Sequence, residues 1–223
     1  MSAFVVAIDG PAASGKSTTA RRVAERLGFV YLDTGAMYRA ITWKALSHGV
    51  DIDDDDALER LVAATDLAWD ERRIHVDGVD VTDEIRSPEV SRRVSVVSRA
   101  SGVRRALVAL QRRVAERGPC VVEGRDIGTV VFPDAALKIF LVASLGERAK
   151  RRARELEKRG VRQTVDELEA EIRARDAIDS GRTDSPLARA ADAVELDTTG
   201  LSIDAQVDAV VDLVRRRFPQ RED

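Results

Sequence analysis

Three features of the sequence predict an α/β protein built on a parallel sheet. Residues 4–8 form a short apolar run, residues 16–27 carry apolar side chains at helical spacing, and residues 29–32 form a second apolar run. A strand, a helix and a strand in this order imply parallel pairing through a right-handed crossover. The same alternation continues to the end of the chain, which predicts a parallel sheet flanked by helices.

The other expected elements follow from the same periodicities. Helices are expected over 36–47, 148–162 and 203–217, and strands at 120–122, 137–142 and 193–196. Another helix follows the acidic run at 51–56, whose carboxylates suit the positive end of a helix dipole. This run lacks the glycine and the terminal glutamate of an EF-hand, so a helix start is preferred to a calcium site.

Residues 73–81 predict a β-hairpin that interrupts the parallel pattern as an insertion. Asp77 and Gly78 form a favoured two-residue turn. This turn sets Val76 opposite Val79, so one face of the hairpin is expected to be apolar throughout. The other expected cross-strand pairs are Ile74 with Val81 and His75 with Asp80.

Composition narrows the classes of function. The 223-residue chain is 44% hydrophobic, and its net charge of -3 provides no overall basic field for binding nucleic acid. Its single cysteine, Cys120, lies in an apolar run and is expected to pack in the core. No run approaches the roughly 20 apolar residues of a membrane span, and the first ten residues lack the pattern of a signal peptide. We expect a cytoplasmic protein, and a monomer.

The segment GPAASGKS at residues 10–17 carries the most specific chemistry. It matches G-x-x-x-x-G-K-[ST] between a predicted strand and a predicted helix, which is the context of a P-loop. Lys16 is expected to reach the β- and γ-phosphates of ATP, and the Ser17 hydroxyl to bind Mg²⁺. The predicted fold is therefore P-loop NTPase-like, with ATP held by Gly10, Pro11, Ala12, Ala13, Ser14, Gly15, Lys16, Ser17 and Thr18.

Three arginine-containing clusters indicate what receives the phosphate. They are DTGAMYR at 33–39, GRD at 124–126 and RDAIDSGR at 175–182. Arg175, Asp179 and Arg182 in the last cluster fall on one helical face. A guanidinium matches a phosphate with two parallel hydrogen bonds, although each cluster by itself also fits a solvated ion pair. Three such clusters beside a P-loop favour an anionic acceptor.

The segment Glu123-Gly124-Arg125-Asp126 ends a predicted buried strand and has three interpretations. It could be a metal site, a satisfied ion pair or part of a substrate pocket. Beside a P-loop and two further arginine clusters, we prefer the floor of an acceptor pocket. Glu123 and Asp33, which both stand at strand ends, are candidates to hold metal-bound water.

The basic helix at 148–162 has two interpretations. It could be a surface helix whose arginines pair with Glu155 and Glu157. It could also be a mobile lid that brings arginines over the transferring phosphoryl group and excludes water. The helix directly follows the strand at 137–142, whose end is expected to face the P-loop, so we prefer the lid.

Several segments together resemble the bacterial cytidylate kinase family of the nucleoside monophosphate kinase superfamily. They are IDGPAASGKST, LDTGAMYRA, EGRDIGTVVFPDA, KIFLVAS and RDAIDSGR. The resemblance runs from about residue 4 to residue 217, and the GRD-x-G-T-V-V-F-P-x-A block is its most specific part. It implies an ATP:CMP phosphotransferase of pyrimidine nucleotide metabolism that converts CMP and dCMP to CDP and dCDP, with Mg²⁺ as cofactor.

The resemblance also implies roles for individual residues. The implied contacts are Arg39, Arg125 and Arg182 with the acceptor phosphate, Asp179, oriented by Arg175, with the ribose, and Ser95, Arg104 and Asp126 with the cytosine edge. The implied catalytic residues are Lys16, Arg125 and Arg182. Thr34 is a further substrate-binding position at which related sequences often have serine, and its hydroxyl can serve the same role.

The expected domain organisation follows the same resemblance. Residues 1–34, 104–145 and 166–223 would form the core, and residues 35–103 the CMP-binding region, with its antiparallel insertion at about 64–92. Residues 146–165 would form the short lid. Two alternatives stay open: another small-molecule kinase with the same core, and a nucleotide-sensing protein without turnover, which would not need an arginine-rich lid.

Overall fold

The computed structural model describes residues 4–70 and 73–217, and its larger sheet has five parallel strands. The described strands are β1 (Val5–Asp9), β2 (Val30–Asp33), β3 (Leu67–Trp69), β4 (Ile74–Val76), β5 (Val79–Asp80), β6 (Cys120–Gly124), β7 (Leu137–Val142) and β8 (Val194–Asp197). The order in the larger sheet is β2-β6-β1-β7-β8. Each apolar run predicted to be a parallel strand lies in this sheet, which confirms the fold class.

Helices connect these strands, and they overlap the predicted spans 16–27, 36–47 and 203–217, whereas the helix predicted over 148–162 begins at Leu145 and ends at Glu157. They are α1 (Lys16–Leu27), α2 (Thr34–Ser47), α3 (Asp55–Ala63), α4 (Pro88–Val97), α5 (Ser101–Val114), α6 (Leu145–Glu157), α7 (Val165–Ser180) and α8 (Ile203–Arg217). The acidic run at 51–56 starts α3 as expected, because the Asp54 carboxylate accepts a hydrogen bond from the amide of Ala57. Among the helices described, none has both the length and the apolar character needed to cross a membrane.

The chain divides into two compact units. The first comprises the chain up to Tyr31 and from Gly118 onward, and the second comprises Leu32–Arg117. The first unit therefore holds the P-loop, and the second holds the antiparallel insertion. The functional boundaries expected from the family resemblance stay a prediction.

The first unit has a continuous apolar core on the central strands of its sheet. Val6 and Ile8 of β1 belong to one buried cluster with side chains of β6, β7, α1 and α8. Strands β1 and β6 are buried along their whole length, which is why their sequences are apolar rather than alternating. Cys120 is fully buried in β6, and burial raises the pKa of its thiol to about 11. The thiol is therefore a packing group, as predicted.

The second unit contains helices α2 to α5 and an antiparallel sheet with the order β3-β4-β5. The hairpin has the predicted register, with Val76 opposite Val79 and His75 opposite Asp80. Both residues of its turn have positive φ angles, 51° and 81°. Val79 completes the apolar residues of this face but is 56% exposed, because it lies in a two-residue strand at the sheet edge.

Candidate active site

The P-loop forms the turn between β1 and α1, as its motif predicted. Gly10 has a φ of 147°, and a Cβ atom there would lie 2.1 Å from the carbonyl oxygen of Leu141, so this position requires glycine. Lys16 is the first residue of α1. Its Nζ donates to the carbonyl oxygen of Pro11 at 2.7 Å and to Oγ of Ser14 at 3.4 Å. The lysine head group is therefore enclosed by the loop.

Lys16 is buried and lies near charges of both signs. Burial lowers the pKa of its ammonium group, and the charge of Arg125 lowers it further. Glu123 acts in the opposite direction, but the net shift is downward. The binding of an anion between two cations offsets the repulsion between them. This part of the unit therefore suits the phosphates of a nucleotide.

Two arginines of α6 bind backbone carbonyl groups of the P-loop. Arg148 donates to the carbonyl oxygen of Ala12 at 3.3 Å and to the carboxylate of Asp176 at 2.5 Å. Arg151 donates to the carbonyl oxygen of Ser14 at 3.0 Å. The basic pattern of this helix indicated a lid over 146–165 but not these contacts. The movement of such a lid stays a prediction.

Thr198 contacts the same part of the P-loop, although no sequence motif marks it. It follows β8 and is fully buried. Its hydroxyl donates to the carbonyl oxygen of Ser14 at 2.9 Å and accepts from Arg151 at 3.0 Å. Arg151 also donates to the carbonyl oxygen of Thr198 at 2.6 Å. A threonine and an arginine from distant parts of the chain thus fix one P-loop carbonyl group.

Asp179 gathers the arginines that the sequence placed in two separate clusters. It accepts from Nε of Arg125 at 2.9 Å and from Nη2 of Arg182 at 2.5 Å, and Nε of Arg175 lies 3.9 Å away. Burial raises the pKa of this carboxyl, but the charges of Arg125, Arg182 and Arg175 outweigh burial and hold it below its usual value. Arg175 and Asp179 lie one turn apart in α7, whereas Arg182 lies two residues beyond the end of this helix. One carboxylate thus binds two guanidinium groups and has a third nearby.

The segment at residues 123–126 ends β6 and leads into a π-helical turn, Ile127–Val131. Glu123 is buried and accepts a hydrogen bond from the Tyr31 hydroxyl at 2.7 Å. Asp126 is also buried, while Arg125 reaches Asp179. Within the first unit, the segment therefore supplies a guanidinium group and two buried carboxylates close to the P-loop strand.

Asp9 is a residue of this site that sequence reasoning missed. It is the last residue of β1 and directly precedes the P-loop. Its Oδ1 accepts from the amide of Ile127 at 2.8 Å, and its Oδ2 accepts from the amide of Gly128 at 2.7 Å. The available signal was a carboxylate at the end of an otherwise apolar strand, since such a buried charge needs partners.

The pKa of Asp9 leads to a test of stability against pH. Burial raises this pKa from 3.8 to about 6, Asp126 adds to the rise, and the two amide bonds and Lys16 oppose it. Because the folded-state pKa is raised, the stabilisation is fully present below the unfolded value and is lost as pH rises through about 6. The change corresponds to about 3 kcal/mol.

We therefore expect the stability of the wild type relative to Asp9→Asn to fall between about pH 4 and pH 7. Urea unfolding of both proteins across this range measures the difference, in which the contributions of other groups largely cancel. A difference that is independent of pH would contradict the expected titration.

In the second unit, Asp33 is the last residue of β2 and directly precedes α2. It lies near two arginines, one of which belongs to its own cluster at 33–39. Its Oδ1 accepts from the amide of Ala36 at 2.8 Å, which caps the helix. Its Oδ2 lies 3.1 Å from Nη2 of Arg39 and 3.8 Å from Nη2 of Arg86. The carboxylate thus orients Arg39. Its Oδ2, a candidate to hold metal-bound water, has two guanidinium groups within 4 Å.

The remaining predicted substrate residues of the second unit are buried. Thr34 is the first residue of α2, and Ser95 lies in α4. Arg104 of α5 donates to the carbonyl oxygen of Ser98 at 3.3 Å, and its guanidinium carbon lies 5.7 Å from the centre of the Tyr38 ring. The arginine is therefore held against an aromatic face, which fixes the direction of its side chain.

The described residues fit a metal bound mainly by substrate oxygen atoms. Over residues 4–70 and 73–217, no three His, Cys, Asp or Glu side chains form a group that could hold a metal ion. Ser17 is exposed in the first turn of α1, next to the P-loop. Mg²⁺ commonly uses one or two protein ligands together with substrate phosphates and water. One exposed hydroxyl at this position meets that requirement.

Comparisons with known proteins agree with the site. A sequence model of the cytidylate kinase family matches residues 6–216. The chain is 49% identical over 215 residues to the cytidylate kinase of Bacillus pumilus, an alignment covering 95% of this chain and 96% of the relative. It is 52% identical over 222 residues to the bifunctional pantoate ligase/cytidylate kinase of Parasynechococcus marenigrum, covering 97% of this chain. The chain spans 44% of the length of that bifunctional relative.

A solved structure supports the fold independently of close sequence similarity. The crystal structure of an uncharacterized protein from Eubacterium ventriosum has a TM-score of 0.54 at 12% identity, and the match covers 96% of this chain and 98% of that chain. The family match and the curated relatives agree over nearly the whole chain. The chain belongs to the cytidylate kinase family, as the resemblance of its motifs predicted.

Proposed function

We propose that this protein transfers the γ-phosphate of ATP to CMP and dCMP, which yields CDP and dCDP for pyrimidine nucleotide metabolism. The observation that carries this proposal is the arrangement around Asp179, which orients Arg125 and Arg182 in the unit that holds the P-loop. Membership of the cytidylate kinase family supports the same reaction. We also propose that the protein is a cytoplasmic monomer whose partners are these nucleotides.

For the donor, we propose that residues 10–18 hold ATP. The backbone amides and the start of α1 would bind its phosphates, and Lys16 would reach the β- and γ-phosphates. Ser17 would bind Mg²⁺, which supplies charge neutralisation between the β- and γ-phosphate oxygens. The water-mediated metal roles of Asp33 and Glu123 stay predictions.

For the acceptor, we propose three groups of contacts. Arg39, Arg125 and Arg182 would hold the phosphate of CMP. Asp179, oriented by Arg175, would hold the sugar, and Ser95, Arg104 and Asp126 would read the base. Thr34 would be a further contact to the substrate. Cytosine presents an amine donor beside two acceptors, which a carboxylate and an arginine complement. Asp126 and Arg104 are both buried, so a hydrogen bond from either group to the base would be poorly screened by water, which supports this selection.

The proposed reaction needs no strong general base. A phosphate oxygen of CMP, already anionic, forms a bond to the γ-phosphorus as the bond from that phosphorus to the β,γ-bridging oxygen breaks, and ADP leaves. Catalysis then consists of positioning and charge stabilisation. We propose that the charge is stabilised by Lys16, Arg125 and Arg182.

An acceptor panel tests this proposal. ADP release is measured with ATP and Mg²⁺ and, in turn, CMP, dCMP, UMP, AMP and dTMP as acceptor. CMP and dCMP are expected to give the highest kcat/KM. AMP or dTMP as the best acceptor would identify another small-molecule kinase. Tight binding of CMP without turnover would instead favour a nucleotide-sensing protein.

Asp126→Ala tests how the base is read. We expect kcat/KM for CMP to fall about 10- to 100-fold and kcat/KM for UMP to fall by much less, so discrimination weakens. Asp134→Ala, which removes an exposed carboxylate eight residues along the chain, is the matched control and should leave both values unchanged. If Asp126→Ala lowers kcat/KM for CMP and for UMP by the same factor, this carboxylate does not read the base.

A further inference from the structure

Asp9 makes two buried hydrogen bonds that join the P-loop strand to the π-helical turn directly after Asp126. Its two carboxylate oxygens each accept one backbone amide, from Ile127 at 2.8 Å and from Gly128 at 2.7 Å. These amides are the first two of the π-helical turn, so the carboxylate occupies its N-terminal end. In the sheet, Asp9 is the register partner of Gly124, directly before Arg125.

The location of this carboxylate calls for a functional explanation. It directly precedes Gly10, at the start of a loop that binds phosphate, and a negative charge there works against anion binding. Burial also disfavours its ionised form. An ionised carboxylate, unlike a carboxyl or an amide side chain, can accept two amide protons at once with both of its oxygens. The two bonds therefore offset part of the cost of burying this charge.

Close packing holds the second of these amides in place. A Cβ atom on Gly128 would lie 3.1 Å from Cδ of Lys138 and 3.4 Å from Oδ2 of Asp9. The Lys138 side chain in turn bonds Asp192 at 2.9 Å. Glycine at position 128 lets the backbone approach Asp9 closely, and the stem of Lys138 covers it.

Arg125 and Asp126 thus lie between two carboxylate anchors. Asp179 holds the side chain of Arg125 at 2.9 Å, and Asp9 holds the backbone of the two residues after Asp126. With both anchors in place, the direction in which these two side chains leave the end of β6 is fixed. Without the backbone anchor, the π-helical turn can shift relative to β1.

We propose that Asp9 is a positioning residue for the acceptor: it holds the amides of Ile127 and Gly128 so that Arg125 and Asp126 bind CMP in the productive orientation. This inference rests on the proposed function. Asp9 acts through the loop and does not touch the substrate. It therefore affects CMP and the choice of base more strongly than it affects ATP.

Steady-state kinetics of Asp9→Asn and Asp9→Ala test the proposal. For Asp9→Ala, kcat/KM for CMP is expected to fall about tenfold or more, and the preference for CMP over UMP to fall several-fold, while the KM for ATP stays within about twofold. Asp9→Asn keeps one acceptor oxygen and should give an intermediate loss. Asp54→Ala is the matched control, since it removes another carboxylate that caps a helix amide, and it should leave both KM values unchanged.

A readout independent of activity separates this inference from the proposed function. Amide hydrogen exchange at residues 127 and 128 should accelerate in Asp9→Ala while exchange in β7 is unchanged. If the wild type does not phosphorylate CMP, the proposed function fails whatever the exchange shows. If the wild type is active but Asp9→Ala raises the KM values for ATP and CMP equally, or changes neither, the positioning role is wrong.

Gly128→Ala probes the same contact from the other side, should the Asp9 variants not fold. The added methyl group must displace the Lys138 stem or Asp9, so the same asymmetry between CMP and ATP is expected. Unchanged CMP kinetics and unchanged base preference in a folded Gly128→Ala protein would overturn the proposal.

Discussion

Arg182→Ala is expected to lower kcat/KM for CMP by about 10²- to 10³-fold. The Arg182 side chain is 6% exposed beside Asp179, so its charge is poorly screened by water and, in the role that we propose, would stabilise the charge of the transferring phosphoryl group strongly. The substitution also leaves Asp179 with one fewer guanidinium partner, although Arg125 still pairs with it. Most of the loss should therefore appear in kcat rather than in folding.

The matched control for this substitution is Arg173→Ala, which removes an exposed arginine from α7, the helix that ends two residues before Arg182. Kinetics with CMP at saturating ATP, together with thermal unfolding of both variants, separate catalytic loss from instability. An unchanged kcat/KM in Arg182→Ala would remove this residue from the active site. A similar loss in Arg173→Ala would point to the helix rather than to the charge.

Asp179→Asn is expected to reduce both stability and activity. The carboxylate is 1% exposed and lies beside Arg125, Arg182 and Arg175, so its neutralisation leaves three cations without their common counter-charge. Breaking such a buried arrangement by removing one partner costs about 3–5 kcal/mol of unfolding free energy. Urea unfolding measures this loss, and CMP kinetics of the folded fraction should show a lower kcat/KM.

Acid should mimic this substitution in the wild type. The pKa of Asp179 is held below its usual value, so its stabilisation is present above the usual carboxyl pKa and is lost as pH falls below it. Asp212→Asn, an exposed carboxylate of α8, is the control and should change stability little. A stability of Asp179→Asn equal to that of the wild type would show that the three arginines do not depend on this carboxylate.

Local patterns in the sequence were sufficient for the elements and for much of the site. The apolar run before Gly10 and the helical spacing after Lys16 predicted β1 and α1, because strand and helix periodicities are set by backbone geometry. The spacing of Arg175 and Asp179 predicted one face of α7 for the same reason, and Arg182, just beyond the helix, also reaches Asp179. The turn at 77–78 predicted the hairpin register.

Local patterns failed where exposure or a distant partner decided the outcome. Val79 fits the apolar face of the hairpin by register, yet it is exposed because a two-residue edge strand has little packed against it. The apolar run after Asp126 formed a π-helical turn, whose first two amides are bound by Asp9 rather than by their own segment. The exposure of Val79 and the binding of these amides by Asp9 do not follow from the residues adjacent to them in the sequence.

The sequence by itself determined the P-loop, the parallel α/β design and the family, since each depends on residue types at fixed local spacings. The tertiary structure decided which distant groups meet. Asp9 reaches an amide 118 residues away because β1 and β6 are neighbours in the sheet. Arg151 and Thr198, which are 47 residues apart, fix one P-loop carbonyl group for a similar reason. Such contacts depend on strand order and helix packing, which no local spacing specifies.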